Sequence, residues 1–294
     1  MTGKLAIFSF WMLGIIWGSN FVFMKLAVNS ITPLQIVFIR VVFGFFPVLV
    51  YGLLKKELNF SHFKHGTHFI VMSVLATVLY YFCFAKGTQL LHSGIAGAVS
   101  GSIPLFTYIT AVIFLPNEKR KLIKIGGILI GLFGVILIAQ PFNGSTLETS
   151  SIGVVYMVLG SLSLGVSFVY ANKFISPLQI PTSALTTYQL GLALLILAVI
   201  TDLDGIQAIY NDQIAFLGLV FGLGLFGTGI AYIIYYYIVE KLGAVHAASV
   251  TYIPPVVALF IGVVFVGESI QLLDYIATAM ILIGVVLLNK GKNV

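Results

Sequence analysis

Polar residues do not alternate along this chain; they punctuate it. Long apolar runs are separated by short polar links, and ten runs reach the roughly 20 residues that a helix needs to cross a bilayer. They cover 4–25, 32–54, 68–89, 94–115, 122–140, 152–173, 183–201, 214–238, 245–266 and 271–289. The pattern predicts an all-α integral membrane protein in which short links make consecutive helices antiparallel neighbours. The longest links, 55–67 and 202–213, carry a histidine group (His62, His65, with His68 beyond) and an acidic group (Asp202, Asp204, Asp212). His65 and His68 stand at helical spacing, but no cysteine or carboxylate accompanies that pair, so they do not read as a metal site.

Within the first run, the polar positions are specific. Gly14 and Gly18 stand four apart, on one stripe along which a second helix can approach closely. Trp17, Asn20 and Met24 fall on the neighbouring stripe. An amide such as Asn20 is expensive in hydrocarbon unless partnered. Two readings stand for Trp17 and Asn20: interhelical packing and glue, or the wall of a polar cavity.

Composition agrees with a membrane protein. The 294 residues are 60% hydrophobic and 8% charged, against ~25% charged in soluble domains. Cys83 stands alone within an apolar run, which removes disulfides and thiolate metal sites as organising features. The net charge of +6 follows topology rather than nucleic-acid binding. With a cytoplasmic N-terminus, twelve Lys/Arg fall in cytoplasmic segments, Lys55, Lys56, Lys119, Arg120 and Lys292 among them. Only Lys25 and Lys86 fall outside, and Arg40 lies within a run. This bias predicts that both termini are cytoplasmic.

The second half echoes the first. A shift of 148 lays Ser19 on Ser167, Lys25 on Lys173 and Pro33 on Pro181. A shift of 150 lays Pro104 on Pro254, Glu118 on Glu268 and Gly134 on Gly284. We expect two five-helix repeats, 1–145 and 146–294. Five is odd, so the second copy enters from the opposite side: inverted repeats, with a site near the midplane where they meet.

These residues carry a resemblance. Trp17-Gly18-Ser19-Asn20-Phe21, Pro33 followed by Arg40, the Pro104 and Pro254 helices, Glu118, Gly267-Glu268 and the glycine-rich fifth and tenth runs are similar to the drug/metabolite transporter superfamily, in its EamA-type ten-helix branch. The resemblance covers essentially the whole chain. It implies a secondary transporter of small molecules, with export favoured, and it does not name the cargo. The second half departs from the motif: Gly165 replaces the tryptophan and Tyr188 stands where Arg40 would be.

Candidate cargo contacts are Trp17, Asn20, Arg40, Tyr81, Ser100, Ser167, Tyr170, Tyr232 and Tyr252. Pro104, Pro254 and Pro255 interrupt helical hydrogen bonding and read either as hinges at a central site or as static kinks. Arg40 lies about 10 Å in from the helix start at Pro33. It either snorkels, caps a neighbour's carbonyls, or holds an anionic group. Tyr188, Tyr235, Tyr236 and Tyr237 read as interfacial belt residues, and His246 as a wetted helix end. No Asp or Glu lies deep in a run, so weak proton coupling is expected. No nucleophile–base pair, metal set or phosphate loop is present, so neither an enzyme nor a cofactor is expected. The partners are lipid and a small solute, and nothing in the sequence sets the oligomeric state. The expected function is alternating-access transport of neutral or zwitterionic metabolites, amino acids or their relatives first, across the cytoplasmic membrane. A passive channel is the alternative.

Overall fold

The computed structural model describes residues 2–115, 121–139 and 148–290. Glu118, Lys119, Arg120 and Lys292 lie outside the described residues, and so does the side chain of His246. The described residues contain no β-strand. Among the described residues, nine helices are long and apolar enough to cross a membrane: α1 (Lys4–Ala27), α2 (Pro33–Leu54), α3 (Phe60–Leu90), α4 (Ser93–Phe114), α5 (Leu122–Ala139), α6 (Ser151–Leu178), α7 (Thr182–Ile200), α8 (Gln213–Gly243) and α9 (Ala247–Val264). A shorter apolar helix, α10 (Leu272–Leu288), completes the ten expected from the sequence.

The principal packed pairs follow a symmetry. α1 packs on α8 and α9, and correspondingly α6 packs on α3 and α4. α2 packs on α8, and α7 packs on α3. The pairs α2–α7, α4–α9 and α5–α10 map onto themselves. Single residues obey the same exchange. A β-carbon at Gly127 would come within 2.6 Å of the Gly284 carbonyl, and one at Gly134 within 2.6 Å of the Ala277 carbonyl. The offset of 150 turns the first contact into the second. The stripe predicted at Gly14 and Gly18 meets α9 at Ile253 and Val257. Without a solvent-driven hydrophobic effect between helices, such close approach supplies the packing that holds them together.

The helices are broken where the prolines suggested, but not by the prolines themselves. In α4 the ladder lapses at Gly101 and Ser102, and a new segment, Ile103–Phe114, starts with Pro104 in its first turn. In α9 a 3₁₀ turn, Val250–Tyr252, precedes Ile253–Val264, whose first turn holds Pro254 and Pro255. Proline is favoured in a first helical turn because its missing N–H would be unpaired there anyway. Three π-helical stretches, Val74–Val78 in α3, Ala171–Ile175 in α6 and Gly218–Ile230 in α8, left no mark in the hydropathy pattern.

One end of the bundle is clamped by polar side chains. Lys25 Nζ donates to the carbonyls of Thr88, Gln89 and Leu91 at 3.2, 3.2 and 2.7 Å, which caps the end of α3. Glu268 accepts from the Ser93 and Gly94 N–H groups at 2.6 and 2.9 Å, which caps the start of α4. Gln35 donates to the carbonyls of Asp202 and Asp204, both at 2.9 Å. Lys25→Met would leave three carbonyls short of a charged donor, so a loss of about 1.5–3 kcal/mol is expected. It is read as a lowered midpoint in detergent thermal melts, with Lys173→Met as the comparison.

Candidate functional site: a central aromatic cavity

A cavity of about 160 Å³ lies between the halves, and residues of α1, α2, α3, α4, α6, α8 and α9 line it. That is room for about five waters, or one small organic molecule of roughly benzene size. Its wall is largely aromatic. Trp17 packs on Tyr235 with ring centroids 5.9 Å apart, Phe21 on Phe84 at 5.9 Å and Tyr80 on Phe84 at 4.5 Å. Met24 and Phe84 are fully buried, whereas Trp17, Tyr235 and Thr251 are half-buried and Phe168 is exposed. Lining residues on the Lys25 side are thus buried, and those nearer the ends of α6 and α8 are partly exposed.

Among the described lining residues, the one formal charge is Arg40. The side chain is only 5% exposed. Nε donates to Thr228 Oγ1 at 2.9 Å, and Thr228 Oγ1 donates to the Leu223 carbonyl at 3.0 Å. That carbonyl is five residues back, within the π-helical stretch. The guanidinium carbon lies 3.6 Å from the centroid of the Tyr81 ring, a cation–π geometry. No carboxylate is among the cavity-lining residues described.

Asn20 is also 5% exposed. Its Nδ2 makes a long 3.4 Å bond to the Gly227 carbonyl, and its Oδ1 is buried with no partner. Gly227 is obligatory here, because any β-carbon would overlap the Asn20 amide.

The structure brings together Trp17, Asn20, Arg40, Tyr81, Ser100 and Tyr232, with Pro254 beside them. It places Ser167, Tyr170, Tyr252, Pro104 and Pro255 outside the cavity lining. Ser167 bonds back to the Leu164 carbonyl at 2.7 Å, as serine in an apolar helix tends to do. Tyr170 lies beyond the cavity, bonded through its hydroxyl to His68 Nδ1 at 2.7 Å and packed on Phe174. Tyr252 packs against the cluster of Leu105, Tyr108, Val285 and Leu288. Tyr235, read from the sequence as a belt residue, lines the cavity, and Tyr188 bonds to the Asn59 backbone. Phe21, Phe84 and Tyr235 were missed, although helical spacing carries the signal: Trp17–Phe21 and Tyr80–Phe84 are four apart, and Tyr232–Tyr235 three.

Tyr188 is not the structural counterpart of Arg40. Gln189 Nε2 donates to Thr77 Oγ1 at 2.8 Å, tying α7 to α3 as Arg40 ties α2 to α8. Gln189 follows Arg40 by 149 residues, and Thr77 precedes Thr228 by 151, close to the repeat offsets. The second half makes the same tie with no charge.

Comparison with known proteins agrees with this architecture. The model of the EamA-like transporter family matches twice, over residues 4–140 and 151–290. The chain is 28% identical over 281 residues to the uncharacterized inner membrane transporter YedA of Escherichia coli K12, covering 95% of this chain and 89% of that protein. It is 25% identical over 280 residues to the uncharacterized transporter YoaV of Bacillus subtilis 168, covering 93% and 94%. A crystal structure sharing 20% identity superposes with a TM-score of 0.64 over 99% of both chains.

Proposed function

Because the chain belongs to the EamA-like transporter family, within the drug/metabolite transporter superfamily, we propose that it carries small neutral or zwitterionic metabolites, amino acids or their relatives first, by alternating access. Export across the cytoplasmic membrane is the direction the resemblance favours. The two halves, 1–145 and 146–294, act as inverted repeats that rock about the cavity between them. The observation that carries this reading is the cavity itself: both halves line it, and its lining is buried at one end and partly exposed at the other. A carrier caught in one of its two states has this shape, whereas a passive channel needs a continuous path. The breaks ahead of Pro104 and Pro254 lie at corresponding places in the repeats, where hinges belong.

The test is counterflow in vesicles. Preloaded amino acids and related metabolites should exchange with external tracer and saturate with concentration. Flux that never saturates for any solute would favour the channel. Orientation is read separately in Cys83→Ser protein within sealed cells. A cysteine at Asp204 should react with an impermeant maleimide, and one at Ser61 should not. The reverse labelling would invert the assignment of the termini.

A further inference from the structure

We propose that the cargo carries a carboxylate, which Arg40 binds within the cavity, while the aromatic walls hold an apolar body. This rests on reading the cavity as the transport site. Arg40 is a buried cation that has no carboxylate partner among the described residues. A guanidinium has five N–H donors. One goes to Thr228, and no other hydrogen bond from Arg40 is present among the described residues. The terminal nitrogens on the fork remain for a ligand.

The fork is also pre-oriented. Tyr81 stacks on its face and Thr228 holds Nε, so the guanidinium plane is set before anything arrives. A fixed planar fork is the arrangement that takes a carboxylate in two parallel bonds. The charge is surplus to the structural task, because neutral Gln189 makes the corresponding tie to Thr77 in the other half. An uncompensated cation at this depth of a membrane is costly, and the Tyr81 ring offsets only part of that cost.

The surroundings narrow the chemistry. With one cation in the described lining, a single carboxylate, on a zwitterion or a monoanion, pairs the charge, whereas a phosphate dianion would leave excess negative charge. The aromatic walls at Trp17, Phe21, Tyr80 and Phe84 suit an aliphatic or aromatic body. A bare inorganic anion would leave that surface unused.

Binding is tested on purified protein in detergent. The chain holds two tryptophans, Trp11 on the exposed surface and Trp17 in the cavity, so Trp11→Phe leaves Trp17 as the single reporter. Benzoate and phenylacetate should change its emission saturably. Benzamide and phenylacetamide, equal in shape and uncharged, should bind at least roughly 10-fold more weakly. Arg40→Gln, which copies the neutral tie made by Gln189, should fold and lose the preference for acid over amide. Arg40→Lys should keep part of it.

Any one of several binding results would overturn the proposal. They are equal binding of acids and amides, an acid preference that survives Arg40→Gln, and no saturable change from either acid up to its solubility limit. Chloride or phosphate displacing the acids at equal concentration would also count against it. The transport reading fails separately. If benzoate binds through Arg40 but never exchanges in vesicles, the carboxylate site stands and the carrier reading falls. If the amides exchange as fast as the acids, with no dependence on Arg40, the carrier stands and the carboxylate site falls.

Discussion

Asn20→Leu should leave the protein folded, at least as heat-stable as the parent, and roughly 5- to 150-fold slower in transport. The two halves of this expectation have separate causes. In the resting structure Asn20 contributes little to stability: its one hydrogen bond is long and its Oδ1 is buried without a partner. Leucine of similar volume removes that unsatisfied acceptor, and exchanging a poorly paired polar group for an apolar one is neutral or stabilising. An amide kept at such cost is useful only if another state pairs it, whether with cargo or with a shifted α8. Losing one buried polar partner costs about 1–3 kcal/mol, which sets the expected range in rate. A thermal melt and a counterflow assay on the same sample read the two halves. Lowered stability would make Asn20 structural glue, and wild-type exchange in a stable variant would remove it from the transport path.

Gly97→Leu should abolish the folded protein. Gly97 lies where α4 crosses α9, and its β-carbon would overlap that of Ala258, with the Phe21 ring 3.3 Å away. The obstacle is a short, rigid side chain on a neighbouring helix, so no rotamer change clears the space. Overpacking costs about 1–3 kcal/mol, and more where backbones must part. Here two directly packed helices, both contributing residues to the cavity lining, would separate. Gly126→Leu is the control, because a β-carbon there meets nothing within 4 Å and leucine is the better helix former. Size-exclusion profiles of the two variants should differ: loss of the monodisperse peak for Gly97→Leu, a normal peak for Gly126→Leu. If Gly97→Leu elutes normally, the α4–α9 crossing is looser than described.

The sequence by itself determined the ten-helix plan, because a bilayer leaves few alternatives. A run of 20 apolar residues must satisfy its backbone internally, so hydropathy alone yields number and order. The repeat was legible too, since Pro104 and Pro254 head corresponding helix segments. Two of the cavity-lining residues followed from one rule, that Asn20 or Arg40 in a span must meet something other than lipid.

Tertiary structure decided the rest. Whether a hydroxyl faces a cavity or its own helix depends on rotation about the axis, which polar content does not report. Ser100 and Ser167 have similar local sequence roles and both bond to carbonyls three residues back, yet only Ser100 lines the cavity. Tyr170 and Tyr235 exchanged places for the same reason: both lie near helix ends, and only packing against Trp17 turns Tyr235 inward. The π-helical stretch of α8 and the match of Gln189 to Arg40 were invisible as well. The first is a slip in backbone hydrogen-bond register over Gly218–Ile230, which leaves the apolar content of the run unchanged. The second is defined by which threonine each side chain reaches across a helix pair, and no one-dimensional offset contains that distance.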